Sequence, residues 1–276
     1  MKLKSTMLNR CIAPMMVMAS LAVAGTSHAA VVTGAGEASG LTVDASVTLL
    51  GSGLLDLEVG PVAEIADDSS SPFTDSDTVI SVTSTTLLLG NVDTGAVTTS
   101  IDSDVDGGFG IRTSTSTAMV DSLDLALLGG IGADTLSVTA DTVTSSAMVS
   151  GDYGAMTLTG TSGVENLQIS VAGSAITIPV DAFSTANNVL LDLAGVRIVL
   201  NEQIDTSSSG AGFDNGALEV NAIHITVDGS LVATGVDADI VIGHSFASLN
   251  SVPEPGSIAL GATGLLMLVG YRRRKA

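Results

Sequence analysis

From Leu41 onward the chain alternates. Leu41, Val43, Ala45, Val47 and Leu49 are apolar, and Thr42, Asp44, Ser46 and Thr48 between them are polar. A period of two puts one set on each face of an extended strand. Leu55-Asp56-Leu57-Glu58-Val59 repeats the pattern. Residues 67–77 are polar and hold Pro72, so they read as a loop. Further extended segments are predicted over 78–89, 92–101, 109–120, 135–149, 156–159, 164–171, 175–180, 189–193, 196–200, 217–227 and 240–244. Residues 123–128 fit either a strand or one helical turn. Gly, Asp and Asn separate nearly all of these segments. Many short strands at that spacing predict an all-β domain, a single β-sandwich or barrel-like sheet. No exact internal repeat is visible. Aromatics are only 3% of the chain, so the core is built from Val, Leu, Ile and Ala, with Thr, Ser and Gly filling most of the remainder.

The two ends break the pattern. Lys2, Lys4 and Arg10 precede an apolar run from Ile12 to Ala24, interrupted by Pro14, and Ser27-His28-Ala29 follows with small residues at the −3 and −1 positions. That order predicts a signal peptide, an N-terminal helix handled by the Sec translocon and signal peptidase and cut after Ala29, or alternatively after Ala30. Cys11 is the only cysteine and lies in this segment, so the cut chain has no disulfide and no thiol chemistry. At the other end Val252-Pro253-Glu254-Pro255-Gly256 precedes an apolar stretch from Ser257 to Gly270, then Tyr271, Arg272, Arg273, Arg274 and Lys275. The apolar stretch suits a short hydrophobic helix entering the inner membrane, with the basic cluster held on the cytoplasmic side. Its 14 residues fall short of the roughly 20 that a full span needs, which suits a transient hold. The chain therefore divides into a signal peptide (1–29), an extracellular all-β domain (30–250) and a sorting tail (251–276).

Pro253, Glu254 and Pro255, followed by the short apolar segment and the Arg-rich end, resemble the PEP-CTERM sorting signal. The resemblance covers residues 252–276. It implies recognition by an exosortase, a membrane-embedded transpeptidase-like enzyme, with cleavage near the Pro-Glu-Pro motif. It also implies a Gram-negative bacterium that makes exopolysaccharide, and a destination at or beyond the cell surface. This parallels other tails that are removed after sorting.

Charge is as lopsided as hydropathy. The chain carries −20 overall, but only Arg112 and Arg197 are basic between 31 and 252, against 28 of the 29 acidic residues, leaving that body near −26. No basic surface exists to neutralise phosphates, so nucleic-acid binding is excluded, and anionic membrane surfaces are disfavoured. The acidity serves solubility, or alternatively divalent-cation binding.

Three sets of residues carry candidate chemistry. Asp102, Asp104 and Asp106 alternate ahead of Gly107, a spacing that can turn three carboxylates toward Ca²⁺. An EF-hand would need an acid at the twelfth loop position, where Thr113 stands, so the candidate is a Ca²⁺ loop between strands. His224 and His244 are the only histidines beyond residue 29. On paired strands they could ligate Zn²⁺ together with Glu202 or Glu219; the competing reading is two hydrogen-bonded structural histidines. Asn201-Glu202-Gln203 reads as a turn. His244-Ser245 lacks a Gly-x-Ser-x-Gly elbow, which leaves no catalytic residues to name.

Ile198-Val199-Leu200-Asn201-Glu202-Gln203, Leu218 to Thr226 and Asp239 to Ala247 together resemble the choice-of-anchor P family, with a looser match at Ile131 to Leu136. The resemblance covers most of 120–250. It implies an extracellular body of the kind that carries interchangeable sorting tails, and no activity. The expectation is a non-enzymatic structural protein of the surface, exopolysaccharide or biofilm matrix. The alternative is a ligand- or carbohydrate-binding module stabilised by Ca²⁺. The missing Trp, with Tyr153 and Tyr271 as the only tyrosines, argues against an aromatic sugar platform.

Overall fold

The structure, a computed structural model, describes residues 29–49, 53–86, 90–129, 133–193, 195–210, 212–228 and 236–253. The predicted terminal helices, with Glu254, Pro255 and Arg272 to Lys275, lie outside the described residues. The described residues form strands joined by turns: β1 (Ala29–Leu49), β2 (Gly53–Val62), β3 (Ile65–Ser69), β4 (Phe73–Val79), β5 (Val82–Thr86), β6 (Gly90–Thr94), β7 (Val97–Ser103), β8 (Arg112–Gly129), β9 (Ala133–Gly151), β10 (Thr157–Glu165), β11 (Gln168–Val171), β12 (Ser174–Ile176), β13 (Asn188–Leu193), β14 (Val196–Asp205), β15 (Ser208–Gly210), β16 (Phe213–Val227) and β17 (Val236–Pro253).

The strands make two antiparallel sheets. One runs β13-β14-β16-β17-β1-β2, with β15 on β16 and β3 on β1; the other runs β12-β11-β9-β8-β6-β5, with β10 on β9 and β4-β7 on β8. The expected all-β class holds, in its sandwich form. Asn201-Glu202-Gln203, expected as a turn, lies inside β14, with Glu202 opposite Asn221 and Gln203 opposite Val220; β12 stops at Ile176, short of the extended segment predicted over 175–180; and one loop prediction fails. Residues 67–77, read as a loop, belong to β3 and β4 around a short turn. Both are edge strands open to solvent on nearly every side chain, so nothing selects the apolar alternation by which a strand is read. Residues 123–128 are strand, continuous with the rest of β8.

Their ambiguity has a structural cause. On β8 the buried residues are Ser114, Ser116, Ala118 and Val120, then Leu123, Leu125 and Leu127; on β9 they are Leu136, Val138 and Ala140, then Val143, Ser145, Ala147 and Val149. On β17 the series changes from Ile240 and Ile242 to Ser245, Ala247 and Leu249, and on β16 from Ile225 and Ile223 to Ala222 and Val220. Each of these four strands thus swaps parity once. The register stays unbroken across the swap, with Asp121 opposite Thr142 and Leu123 opposite Ala140, so neighbouring strands swivel together. Left-handed backbone at Ser122 (φ 51°), Asn201 (φ 50°) and Gly243 (φ 67°) marks the swivel in β8, β14 and β17. Without it, half of each apolar set would face water.

The swivel divides the core. On one side lies a cluster of large aliphatic residues, among them Leu41, Leu125, Leu136, Ile198, Ile223 and Ile240. On the other side the sheets meet through small residues. A Cβ added at Gly36 would sit 2.9 Å from Ser116 Oγ, and one at Gly40 only 2.0 Å from Val97 Cγ1. Buried hydroxyls cross this seam to the opposite sheet: Ser114 Oγ donates to Ala35 O (2.8 Å) and Ser116 Oγ to Phe246 O (2.5 Å). Thr99 Oγ1 donates to Ala63 O (2.7 Å), and Ser145 Oγ pairs with Ser245 Oγ (2.7 Å). Beyond the seam Val31, Val149, Leu218 and Leu249 belong to a second, smaller cluster.

A buried hydroxyl left without its partner costs about 1–3 kcal/mol, whereas removing both partners costs far less. Ser145→Ala and Ser245→Ala are each expected to lower the urea midpoint, and the double variant to lose clearly less than the two losses combined. Strict additivity in that double-mutant cycle would contradict the pairing.

Candidate functional site

The swivel also shapes the outer face of the first sheet. Asn221 and His224, three apart on β16, lie on that face along with Glu202 on β14, Asp239 and His244 on β17 and Glu37 on β1. His224 donates from Nδ1 to Glu202 Oε2 (2.6 Å) and from Nε2 to Asp239 Oδ1 (2.8 Å). The amide of Asn221 donates to Glu202 Oε2 and to Glu219 Oε1, both at 3.0 Å. Its carbonyl oxygen then accepts from His244 Nδ1 at 2.8 Å. His244 Nε2 stands 3.8 Å from Glu37 Oε1, beyond hydrogen-bond range. Asn221 and Glu202 are 2% and 9% exposed, so the centre of the network is shielded from water.

The electrostatics follow from that geometry. The hydrogen bond to Glu202, and a weaker one to Asp239, push the His224 pKa up to about 9 against the opposing effect of burial. The same hydrogen bond holds the Glu202 carboxyl below its ordinary range. His224 is therefore an imidazolium at neutral pH with both nitrogens donating, so a metal would have to displace a proton and one of these two contacts. The two histidines do come onto neighbouring strands, as the zinc reading requires, but Asn221 stands between them. Among the described residues no group of three or more His, Cys, Asp or Glu side chains is placed to hold a metal ion. His244 and Ser245 point to opposite faces: Ser245 is fully buried in the seam, so the two cannot act on one substrate. Asn221 and Asp239 were not singled out from sequence. The available signal was the break in alternation at Asn221-Ala222-Ile223-His224.

The aspartate series at the end of β7 is turned to separate donors. Asp102 Oδ2 accepts from Thr74 Oγ1 (2.6 Å), Asp104 Oδ1 from the Thr113 amide (2.6 Å), and Asp106 Oδ1 from Arg112 Nη2 (2.6 Å) and the Gly108 amide (2.8 Å). The Arg112 guanidinium and the Gly108 amide lower the Asp106 pKa. A Ca²⁺ ion bound by Asp102, Asp104 and Asp106 would have to draw them from these partners and compete with Arg112.

Both ends of the body meet in one ladder. Ala29 pairs with Pro253 and Ala30 with Val252, so the residue preceding the expected signal cut and the first residue of the Pro-Glu-Pro motif are neighbours. Among the described residues no helix is long and apolar enough to cross a membrane.

The outer face of the second sheet carries a different pattern, spread over β4, β7, β8, β9 and β10. The cross-strand registers align Thr78, Thr98, Met119, Thr144 and Gly163 in one row, then Ser76, Ser100, Thr117, Ser146 and Thr161, then Thr74, Asp102, Thr115, Met148 and Thr159. Eleven of these fifteen positions are Ser or Thr, none is basic or aromatic, and one is charged. Hydroxyls pair across strands, as in Ser100 Oγ with Thr117 Oγ1 at 2.7 Å. The result is a nearly neutral hydroxyl array, shallowly concave along Thr98, Thr117, Thr144, Ser146 and Thr161, on an otherwise acidic protein. Its spacings are those of the sheet, about 4.8 Å between strands and about 6.8 Å along them.

No protein-family model matches the chain, and no curated protein matches it.

The network sets a pH dependence. A raised histidine pKa gives stability that is complete below about 6.5 and lost as pH rises toward about 9. The lowered Glu202 carboxyl contributes above its ordinary pKa of 4.5, and that contribution is lost as pH falls further. His224→Gln is expected to cost on the order of 2 kcal/mol at pH 6 and much less at pH 9.5. Urea midpoints of both proteins across that range are the check, and a constant difference would contradict the ion pair.

Proposed function

We propose that the chain is an exported structural protein of the cell surface and its polysaccharide matrix, carried out by the Sec pathway and released at its Pro253-Glu254-Pro255 tail by an exosortase. The observation that carries the matrix half of this reading is the hydroxyl array on β4, β7, β8, β9 and β10. A polysaccharide presents hydroxyls at repeated spacings, and an array of Ser and Thr can trade hydrogen bonds with it and with water at little net change. A single such bond contributes only about 0.5–1.5 kcal/mol, so grip on a polymer comes from many weak contacts acting together. That suits a protein dispersed through a matrix. The acidic body away from the array keeps copies apart, and the paired ends bring the two sorting segments to one place. The histidine network fits the same reading as a structural brace on the opposite face, and no reaction is assigned to it.

Thr117→Val, Ser146→Ala and Thr161→Val together remove three adjacent hydroxyls while keeping the size of the surface. On an insoluble neutral glucan the exported protein should be retained, and the triple variant should be retained at least threefold less, with its thermal midpoint unchanged. Equal retention, or none by the parent, contradicts a polysaccharide-facing array.

A further inference from the structure

The pole at which Ala29 meets Pro253 also gathers exposed apolar side chains. Phe109 forms an isolated bridge with Ala30 and is 56% exposed; Ile111, two residues on, is 69% exposed. Across the same pole, Asp214 pairs with Ser251 and accepts from the Gly154 amide (2.7 Å), which brings the β9–β10 turn with Tyr153 against the β15–β16 hairpin with Phe213. Phe213 is 43% exposed. Three of the six aromatic residues between 30 and 253 are thus Phe109, Tyr153 and Phe213, around one pair of chain ends.

The chain beyond Pro253 says what this pole faces. Only residues 254–256 separate it from the apolar stretch that starts at Ser257. Fully extended, three residues reach about 10 Å. With that stretch in a bilayer, the pole is held within about 10 Å of the hydrocarbon, at the headgroups or just outside them. Aromatic side chains favour that depth, and a partly exposed apolar set gains by entering it. The acids of the pole are already hydrogen-bonded: Asp104 to the Thr113 amide, Asp106 to Arg112, Asp152 to the Tyr153 amide, Asp205 to the Ser207 amide and Asp214 to the Gly154 amide. Their charge still disfavours anionic lipid, so the matching surface is zwitterionic.

We propose that this pole is a membrane-docking surface, with Phe109, Ile111, Tyr153 and Phe213 resting in the interface of a zwitterionic bilayer while segment 257–270 is held in it. The inference rests on the tail reading given above. It adds an orientation, with the hydroxyl array standing upright from the membrane, and a consequence. Four side chains without the inserted segment make a weak anchor, so cutting the tail releases the body.

The chain has no Trp, so one introduced Trp reports alone. The tail-bearing protein is reconstituted into phosphatidylcholine vesicles brominated on the acyl chains, carrying Ile111→Trp, Leu193→Trp or Leu266→Trp. Leu193, 69% exposed at the turn between β13 and β14, is the comparison site at the far end. Quenching is expected at Leu266→Trp and at Ile111→Trp, the latter at least threefold stronger than at Leu193→Trp. Quenching at Leu266→Trp with Ile111→Trp no stronger than Leu193→Trp overturns the docking surface and leaves the tail reading standing. No quenching at Leu266→Trp overturns both.

Discussion

The two sheets are held together in their middle at a separation that glycine on β1 makes possible. Gly34, Gly36 and Gly40 on β1 face Ser103, Ser116 and Val97 at distances where an added Cβ would collide. The glycines of β1 make room for Val97, Ile101 and Val105 of the opposite sheet, and Ser114, Ser116, Thr99 and Ser145 add hydrogen bonds that reach backbone carbonyls or a hydroxyl across the gap. Each bond is modest, but each donor would be costly if orphaned. The seam therefore fixes the relative placement of the sheets more sharply than an aliphatic layer could. In a body without disulfides, that geometric selectivity takes the place of a covalent staple.

The swivel in each long strand follows from the same constraint. One half of the sandwich is dominated by Leu and Ile, the other mixes Ser, Ala and Gly with Val, Ile101 and Leu249, and the chain changes parity where they meet. On the outside the change brings Asn221 and His224 onto one face, close enough to Glu202 to form a half-buried ion pair. That network lies on the sheet opposite the hydroxyl array. One sheet is thus braced by charge on its outer face, and the other carries a hydroxyl array with a single charged position among its three rows.

Much of this was legible in the sequence, and the gaps have physical causes. Alternation is legible from Leu41 because Leu41, Val43 and Ala45 line the inner face. The stretch from Gly34 to Gly40 escaped because its inner residues are Gly34, Gly36, Ala38 and Gly40, which carry little hydrophobic signal. Residues 123–128 were ambiguous because the parity change at Ser122 breaks a period of two. His224 and His244 were recognisable as candidates, but their partners come from other strands, and register is not written locally. The hydroxyl array escaped for the same reason: Thr and Ser in each strand are visible, their alignment across five strands is not.

Ala30 opposite Val252 closes the body into a unit whose two ends leave together. Cutting after Ala29 and just beyond Pro253 would cost the β1–β17 ladder only its Ala29–Pro253 rung, and the released domain would keep its seam, its brace and its array. The intact mass of the protein recovered from the cell surface tests this most directly. The expected species begins at Ala30 and ends between Pro253 and Gly256. A species that retains Arg272 to Ala276 would mean that the tail is a permanent anchor, and would contradict release to the surface.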